Sequence, residues 1–414
     1  MRFVGLFLKP FSLTQCYLGL LFSVCTLALV TGCEQAGSPR DTGGLVEEKV
    51  NENENEVTLA EAEEFAKKYL SAVKKQRTTK LVKLVDWDTL VDRIFSGQST
   101  NTVFYKKYTK GAKRVLGRFS KSIDTETEGG GNYALLKIVR RGKDRHVIFR
   151  LVTGTSSAAG GGRIDYHNLR LVKHHRKVLA DDIYVARTGS WLSESHRINL
   201  RFVQLQGDEP VGGFTSQQRE EVEEFKLIAE MTRAIQSGNQ AEASKFYQQL
   251  PEDTKKSKNV LVARLLTTER DEFFKAADAM TSLYPSSPAV GLSLIDFGMR
   301  QKDLPTLKRA SEMLEKWTGG DTYIDLNVAA VMLTEGDADE AAKMTKEIDL
   351  RGFDFVNPVL LQLKIALASK DNVALLECFR ILRDDHDEDI NKLLKSPTFT
   401  DFVDSLEYLD LKND

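Results

Sequence analysis

Apolar residues recur at three- and four-residue spacing where the folded part of the chain begins. Leu59, Ala62, Phe65, Ala66, Tyr69, Leu70 and Val73, with Glu and Lys between them, form the stripe of an amphipathic helix. Residues 57–93 therefore read as helix, opened by Thr58 with Glu61 three positions on, the spacing of a capping box. A second helical run covers residues 81–94 and a third is expected around residues 105–119. After Gly129-Gly130-Gly131 the period changes to that of strands. Residues 133–139, 146–152, 164–172 and 178–186 are rich in Val, Ile, Leu and Tyr. Arg141-Gly142-Lys143-Asp144, a Gly160-Gly161-Gly162 loop and His174-His175-Arg176-Lys177 separate them as turns. From Thr215 onward the pattern is helix after helix. The predicted fold is an α+β amino-terminal domain, helices and then a curved antiparallel sheet, followed by an all-α helical-repeat solenoid.

The repeat reading rests on helix-pair junctions at Gly238-Asn239, Thr268-Glu269, Lys302-Asp303, Gly336-Asp337 and Lys370-Asp371, separated by 30, 34, 34 and 34 residues. A helix-turn-helix unit with a period of 34 resembles the tetratricopeptide repeats. In that family a Gly-Asp-type turn is followed by an alanine; Ala243 and Ala341 fit within one residue, and Pro285 takes the end-of-repeat proline position. Phe273, Leu307 and Leu375 depart from the pattern, so the repeats are degenerate. Residues 390–414, with Leu393, Leu394, Phe399, Phe402, Leu406 and Leu409, are expected to cap the last unit. The helix-then-hairpin order of residues 57–205 resembles the nuclear-transport-factor-two-like, cystatin-like cone fold, shared with scytalone dehydratase and ketosteroid isomerase. That resemblance implies a pocket between helices and sheet.

The first residues carry a different signal. Arg2 and Lys9 precede an apolar run over residues 18–30 that ends in Val30-Thr31-Gly32-Cys33. This is the order of a secretory leader, and the last four residues resemble the lipobox of bacterial lipoproteins. The resemblance implies cleavage before Cys33, a diacylglycerol on its sulfur and acyl chains of the palmitate type, two or more of which hold a protein on a membrane. An uncleaved membrane anchor is the alternative, disfavoured because the run is shorter than the ~20 residues that span a bilayer. Residues 1–32 are thus read as signal peptide and 33–56 as an acylated, flexible linker. The low apolar content of the linker, as in Asn51-Glu52-Asn53-Glu54-Asn55-Glu56, cannot offset its ordering entropy.

Charge divides the remainder. The whole chain has a formal net charge of −2, yet residues 57–206 carry +15 and residues 207–414 carry −14. Gly207-Asp208-Glu209-Pro210 and the glycines after it read as a linker over residues 207–214, between the basic α+β domain (57–206) and the repeats (215–389). The acidic repeats suit basic protein or peptide partners, and the two halves could dock within one chain or between copies.

Candidate chemistry is sparse. No Gly-x-Ser-x-Gly elbow, Gly-Lys-Ser/Thr phosphate loop or His-Glu-x-x-His pair occurs, so no catalytic, cofactor or metal residue is assigned and an enzyme is not the expectation. Tyr133, Asp165, Tyr166 and His167 are the types the cone-fold enzymes use. Asp165 and His167 share one strand face and Tyr166 the other, so the bland reading of half-buried strand residues is preferred. Lys173-His174-His175-Arg176-Lys177 reads as a solvated turn. Cys378, between Glu377 and Phe379, reads as a small buried residue without a disulfide partner. Basic and aromatic residues lack the interleaving of nucleic-acid platforms. The sequence thus points to a lipid-anchored interaction scaffold of the bacterial cell envelope, facing the periplasm, with Glu34 favouring the outer membrane and Cys33 as the attachment site. An envelope small-ligand binder or enzyme is the alternative.

Overall fold

A computed structural model describes residues 56–96, 131–153, 163–174, 176–206, 215–266 and 270–413, with a few positions between 105 and 127. The expected leader, Cys33, the expected stalk, most of the third expected helix, the expected Gly160-Gly161-Gly162 loop, the expected 207–214 linker and the Thr268-Glu269 junction lie outside the described residues. The chain folds as amino-terminal helices with a five-stranded antiparallel sheet, then a long run of paired helices.

The helical stretch read as one run over residues 57–93 with a second over 81–94 is three helices: α1 (Leu59–Lys74), α2 (Thr78–Val82) and α3 (Trp87–Ile94). Thr58 and Glu61 form the capping box, Glu61 N donating to Thr58 Oγ1 at 3.2 Å and Thr58 N to Glu61 Oε2 at 3.0 Å. After α1 the chain turns at Gln76, whose φ of 48° is left-handed. After α2 the backbone leaves the helix to pair with the sheet. Asp86 N donates to Ala180 O at 2.8 Å and Ala180 N to Leu84 O at 2.9 Å. Periodicity alone cannot show that competing partner. Asp86 then caps α3 through Thr89 N at 3.2 Å.

Strands β1 (Asn132–Arg141), β2 (Asp144–Val152), β3 (Ile164–His174), β4 (Lys177–Val185) and β5 (Ser190–Trp191) lie in sequence order. Alternation sends Val147, Phe149, Leu151, Leu169, Leu171 and Ile183 to one face, where Phe65 and Tyr69 of α1 and Leu90, Val91 and Ile94 of α3 join them in one core. The Tyr69 and Phe149 rings are 5.1 Å apart. Each such side chain withdrawn from water contributes about 1.5–3 kcal/mol. β5 was not expected; it is a two-residue return closed by Gly189, where φ is 65° and an added Cβ would stand 2.8 Å from Ser287 Oγ. Lys258 Nζ donates to Gly189 O at 2.9 Å.

Helix α4 (Leu192–Gln206) follows the sheet and packs Leu192 and Leu200 into its core. The all-α part then comprises α5 (Ser216–Gln236), α6 (Gln240–Gln249), α7 (Glu252–Lys255), α8 (Lys258–Arg264), α9 (Arg270–Leu283), α10 (Pro288–Gln301), α11 (Leu304–Thr318), α12 (Thr322–Thr334), α13 (Ala338–Thr345), α14 (Asn357–Ala368) and α15 (Asn372–Asp384), and three short helices, α16 (Ile390–Leu394), α17 (Thr400–Val403) and α18 (Leu406–Asn413). One turn recurs between α5/α6, α10/α11, α12/α13 and α14/α15. Gly238, Lys302, Gly336 and Lys370 are left-handed. The next residue reaches back five positions: Asn239 N to Ala234 O at 2.8 Å, Asp303 N to Gly298 O at 2.9 Å, Asp337 N to Met332 O at 3.1 Å, and Asp371 N to Ala366 O at 2.9 Å. This is the Schellman closure of one helix fused to the cap of the next. Asn239, Asp303 and Asp371 also accept the N–H three residues on, at 3.2, 3.1 and 3.0 Å. Four residues after each cap, Ala243, Leu307, Ala341 and Leu375 are buried. Beyond α15, Phe399 and Phe402 each place a ring 5.3 Å from that of Phe379.

Two compact units emerge. One contains the core of the sheet and the helices through Ser293; the other contains residues 294–414 with the short stretches 129–132 and 153–163. Within the second, Arg163 Nε meets Asp296 Oδ2 at 3.3 Å and Asn132 Nδ2 donates to Asp354.

Candidate functional site

Tyr133, Asp165 and His167, expected to be half-buried strand residues, are fully buried and lie together on the core face of the sheet. Their placement follows from the register, which sets Phe149 opposite His167 and Leu151 opposite Asp165. Tyr133 Oη and His167 Nδ1 are 3.1 Å apart, and His167 Nε2 is 3.9 Å from Asp165 Oδ2. Asp165 Oδ1 accepts the backbone N–H groups of Tyr166 at 2.8 Å and Arg187 at 2.9 Å. Tyr166 points to the other face, as the alternation predicts, so three of the four candidates converge.

Burial sets their protonation. Desolvation lowers His167 to about 3, so the imidazole is neutral. Desolvation, reinforced by the neighbouring Tyr69 hydroxyl, raises Tyr133 well above the ordinary phenol range. Tyr133 and His167 share a hydrogen bond, but at 3.9 Å Asp165 stands beyond hydrogen-bond reach of His167 Nε2, and a phenol held so far up is a poor acid at neutral pH. The rings of Tyr69, Phe149, Tyr133 and His167 follow one another at 5.1, 5.3 and 5.5 Å, contact spacings that leave no room for a ligand between them.

A second polar group on β4 was not anticipated. A register shift opposite Arg170 and Leu171 makes Asp181 an extra residue, so Arg170 faces Asp182 and Leu171 faces Ala180. Consecutive strand residues ordinarily point to opposite faces; the bulge lets both carboxylates meet the same cations. Asp181 Oδ1 accepts from Arg170 Nε at 2.8 Å, and Asp181 Oδ2 from Arg93 Nη2 of α3. Asp182 Oδ2 accepts from Ser193 Oγ at 2.5 Å, with Arg93 Nη1 3.8 Å away. Arg170 also lies over the Trp191 ring at 5.0 Å. Burial raises Asp181 despite Arg170, and lifts Asp182 to about 6 against the hydrogen bonds of Ser193 and Ile183. Asp182 therefore exchanges a proton near neutrality, in a place too enclosed for a substrate. The sequence did hold a signal for this group: Leu179-Ala180-Asp181-Asp182-Ile183 sets two acids inside an otherwise apolar strand.

At the β3–β4 turn, His174 and Lys177 are exposed, as expected. His174 Nδ1 is 3.5 Å from Asp86 Oδ2 and Lys173 Nζ pairs with Glu61 at 2.8 Å; His175 lies outside the described residues. Cys378 is buried on α15 and its thiol is pushed up to about 12 by burial. Among the described residues, no group of three or more His, Cys, Asp or Glu could hold a metal ion, and no helix is long and apolar enough to cross a membrane. Cys33, the expected lipid-attachment residue, lies outside them. Compared with known proteins, the chain matches no family model, no curated protein and no solved structure.

Proposed function

We propose that the chain is a lipid-anchored interaction scaffold of the bacterial cell envelope, held by Cys33 and recruiting protein partners through its paired helices. The observation that carries this reading is the recurrence of one turn at 34-residue intervals, at Asp303, Asp337 and Asp371, each with the same backbone closure. Units built to one plan stack at one plan's spacing, and such arrays present extended binding surfaces. Their acid-rich composition suits basic peptides or protein segments, another copy's basic half among them. The test is cross-linking in native membranes, read by mass spectrometry at exposed lysines such as Lys308, Lys343 and Lys370. Cross-links from these positions to one recurring basic partner are expected; partner cross-links confined to residues 57–206 would overturn the reading.

A small-ligand or enzymatic role finds one observation in its favour, the convergence of Tyr133, Asp165 and His167. The contact spacing of the surrounding rings favours a structural role for that cluster.

A further inference from the structure

Lys75, Arg77, Lys80 and Lys83 are exposed where α1 turns into α2. The last three recur at three-residue spacing, which sets them along one side of the short helix while Leu81 faces the core. Residues 71–85 contain no carboxylate, nor do residues 173–180 of the β3–β4 turn, where Arg176 and Lys177 are exposed. The two segments are joined. Val85 pairs in parallel with Ala180, so the end of α2 runs beside the start of β4. None of these six cations forms an ion pair among the described residues. The carboxylates on either side are occupied: Glu64 pairs with Lys68 at 2.5 Å, and Asp86 caps α3.

We propose that this corner is the surface on which the folded unit lies against an anionic lipid bilayer. Four of the six charges are lysines, compact ammonium groups on flexible stems that suit mobile headgroups better than a partner of fixed geometry. Lipid surfaces of negative potential attract such clusters, each cation strengthening binding about five-fold. The proposal rests on the anchor at Cys33. Residues 33–56 span at most about 80 Å when fully extended, so the tethered unit is confined near the bilayer and weak contacts suffice to orient it.

The test uses the full chain recovered from bacterial membranes and returned to vesicles of phosphatidylcholine alone or with phosphatidylglycerol. Lysine acetylation rates are read by mass spectrometry. Labelling of Lys75, Lys80, Lys83 and Lys177 should fall several-fold on the anionic vesicles and recover in high salt, while Lys343 on α13 stays unchanged. In a Lys75→Glu/Arg77→Glu/Lys80→Glu/Lys83→Glu variant, the protection of Lys177 should disappear. Equal labelling on the two vesicle types overturns the proposal, as does protection that persists in detergent beside a co-purifying acidic protein. The anchor is read separately: failure of the unsubstituted chain to bind phosphatidylcholine vesicles removes the anchor, whereas the corner is judged by the salt-sensitive lysine protection that phosphatidylglycerol adds.

Discussion

Gly298 of α10 and Leu307 of α11 approach so closely that a methyl group on Gly298 would stand 2.7 Å from Leu307 Cγ. Leu307 occupies the position where other units carry Ala243 or Ala341, and the helix facing it gives up its side chain in compensation. The fourth unit makes the milder exchange, Leu375 with Ala366 at the corresponding positions, and the third reverses it, with Met332 and Ala341 in one buried cluster. In these three turns one large and one small side chain stand at the paired positions, whereas the first pairs two alanines, Ala234 and Ala243. Gly298→Ala should therefore cost about 1–3 kcal/mol by overpacking, and Leu307→Ala about 2–5 kcal/mol by the cavity it leaves. The double variant should lose clearly less than the sum, measured by denaturant unfolding; strict additivity would show that the two side chains do not share the space.

Lys302 and Lys370 adopt the left-handed conformation that Gly238 and Gly336 take in the equivalent turns, with φ of 53° and 56°. A side chain there costs about 1–2 kcal/mol, offset in part by the entropy a glycine loses. Lys370→Gly should raise stability by about 0.5–1 kcal/mol, read as an increased denaturant midpoint with an unchanged slope.

The cations around the β4 bulge are set where burial makes their loss costly. Arg93→Ala removes one of the two guanidinium groups on Asp181, and leaving a buried acceptor short of a donor costs about 1–3 kcal/mol. Arg93→Lys should recover part of that loss, since it restores the charge and not the fork. Urea titration of the three proteins measures both steps.

Two titrations act in opposite directions. Asp182, raised to about 6, holds its proton more tightly folded than unfolded; its contribution to stability is fully present below about pH 4 and is lost as pH rises through about 6. Asp182→Asn should flatten the stability profile between those limits. His167 and His196, lowered to about 3 and about 4 by burial, behave in the converse way. The unfolded state takes up their protons first as pH falls below about 6.5, removing up to roughly 1.4 kcal/mol per pH unit for each. His167→Gln should halve the histidine share of that acid limb, measured as Tm between pH 4 and 7.

The periods of residues 59–73 and 133–185, the capping pair Thr58 and Glu61, and the 34-residue junctions were legible because each is a local preference expressed over neighbouring positions. The sheet's order, strand after strand, follows in part from the short β1–β2 and β3–β4 turns. The break of the first helical run was not legible, since Val85 leaves the helix for a partner, Ala180, far away in sequence. The convergence of Tyr133 with His167 and Asp165 likewise depended on the register between strands.

By itself the sequence determined the elements, their periods and the charge division, because those are set by side-chain types at fixed spacing. Only the tertiary structure decided that a bulge would turn Asp181 and Asp182 toward the same two arginines, and that Gly298 would make room for Leu307. Both outcomes depend on distances between segments remote along the chain, and a pattern of neighbours carries no record of them.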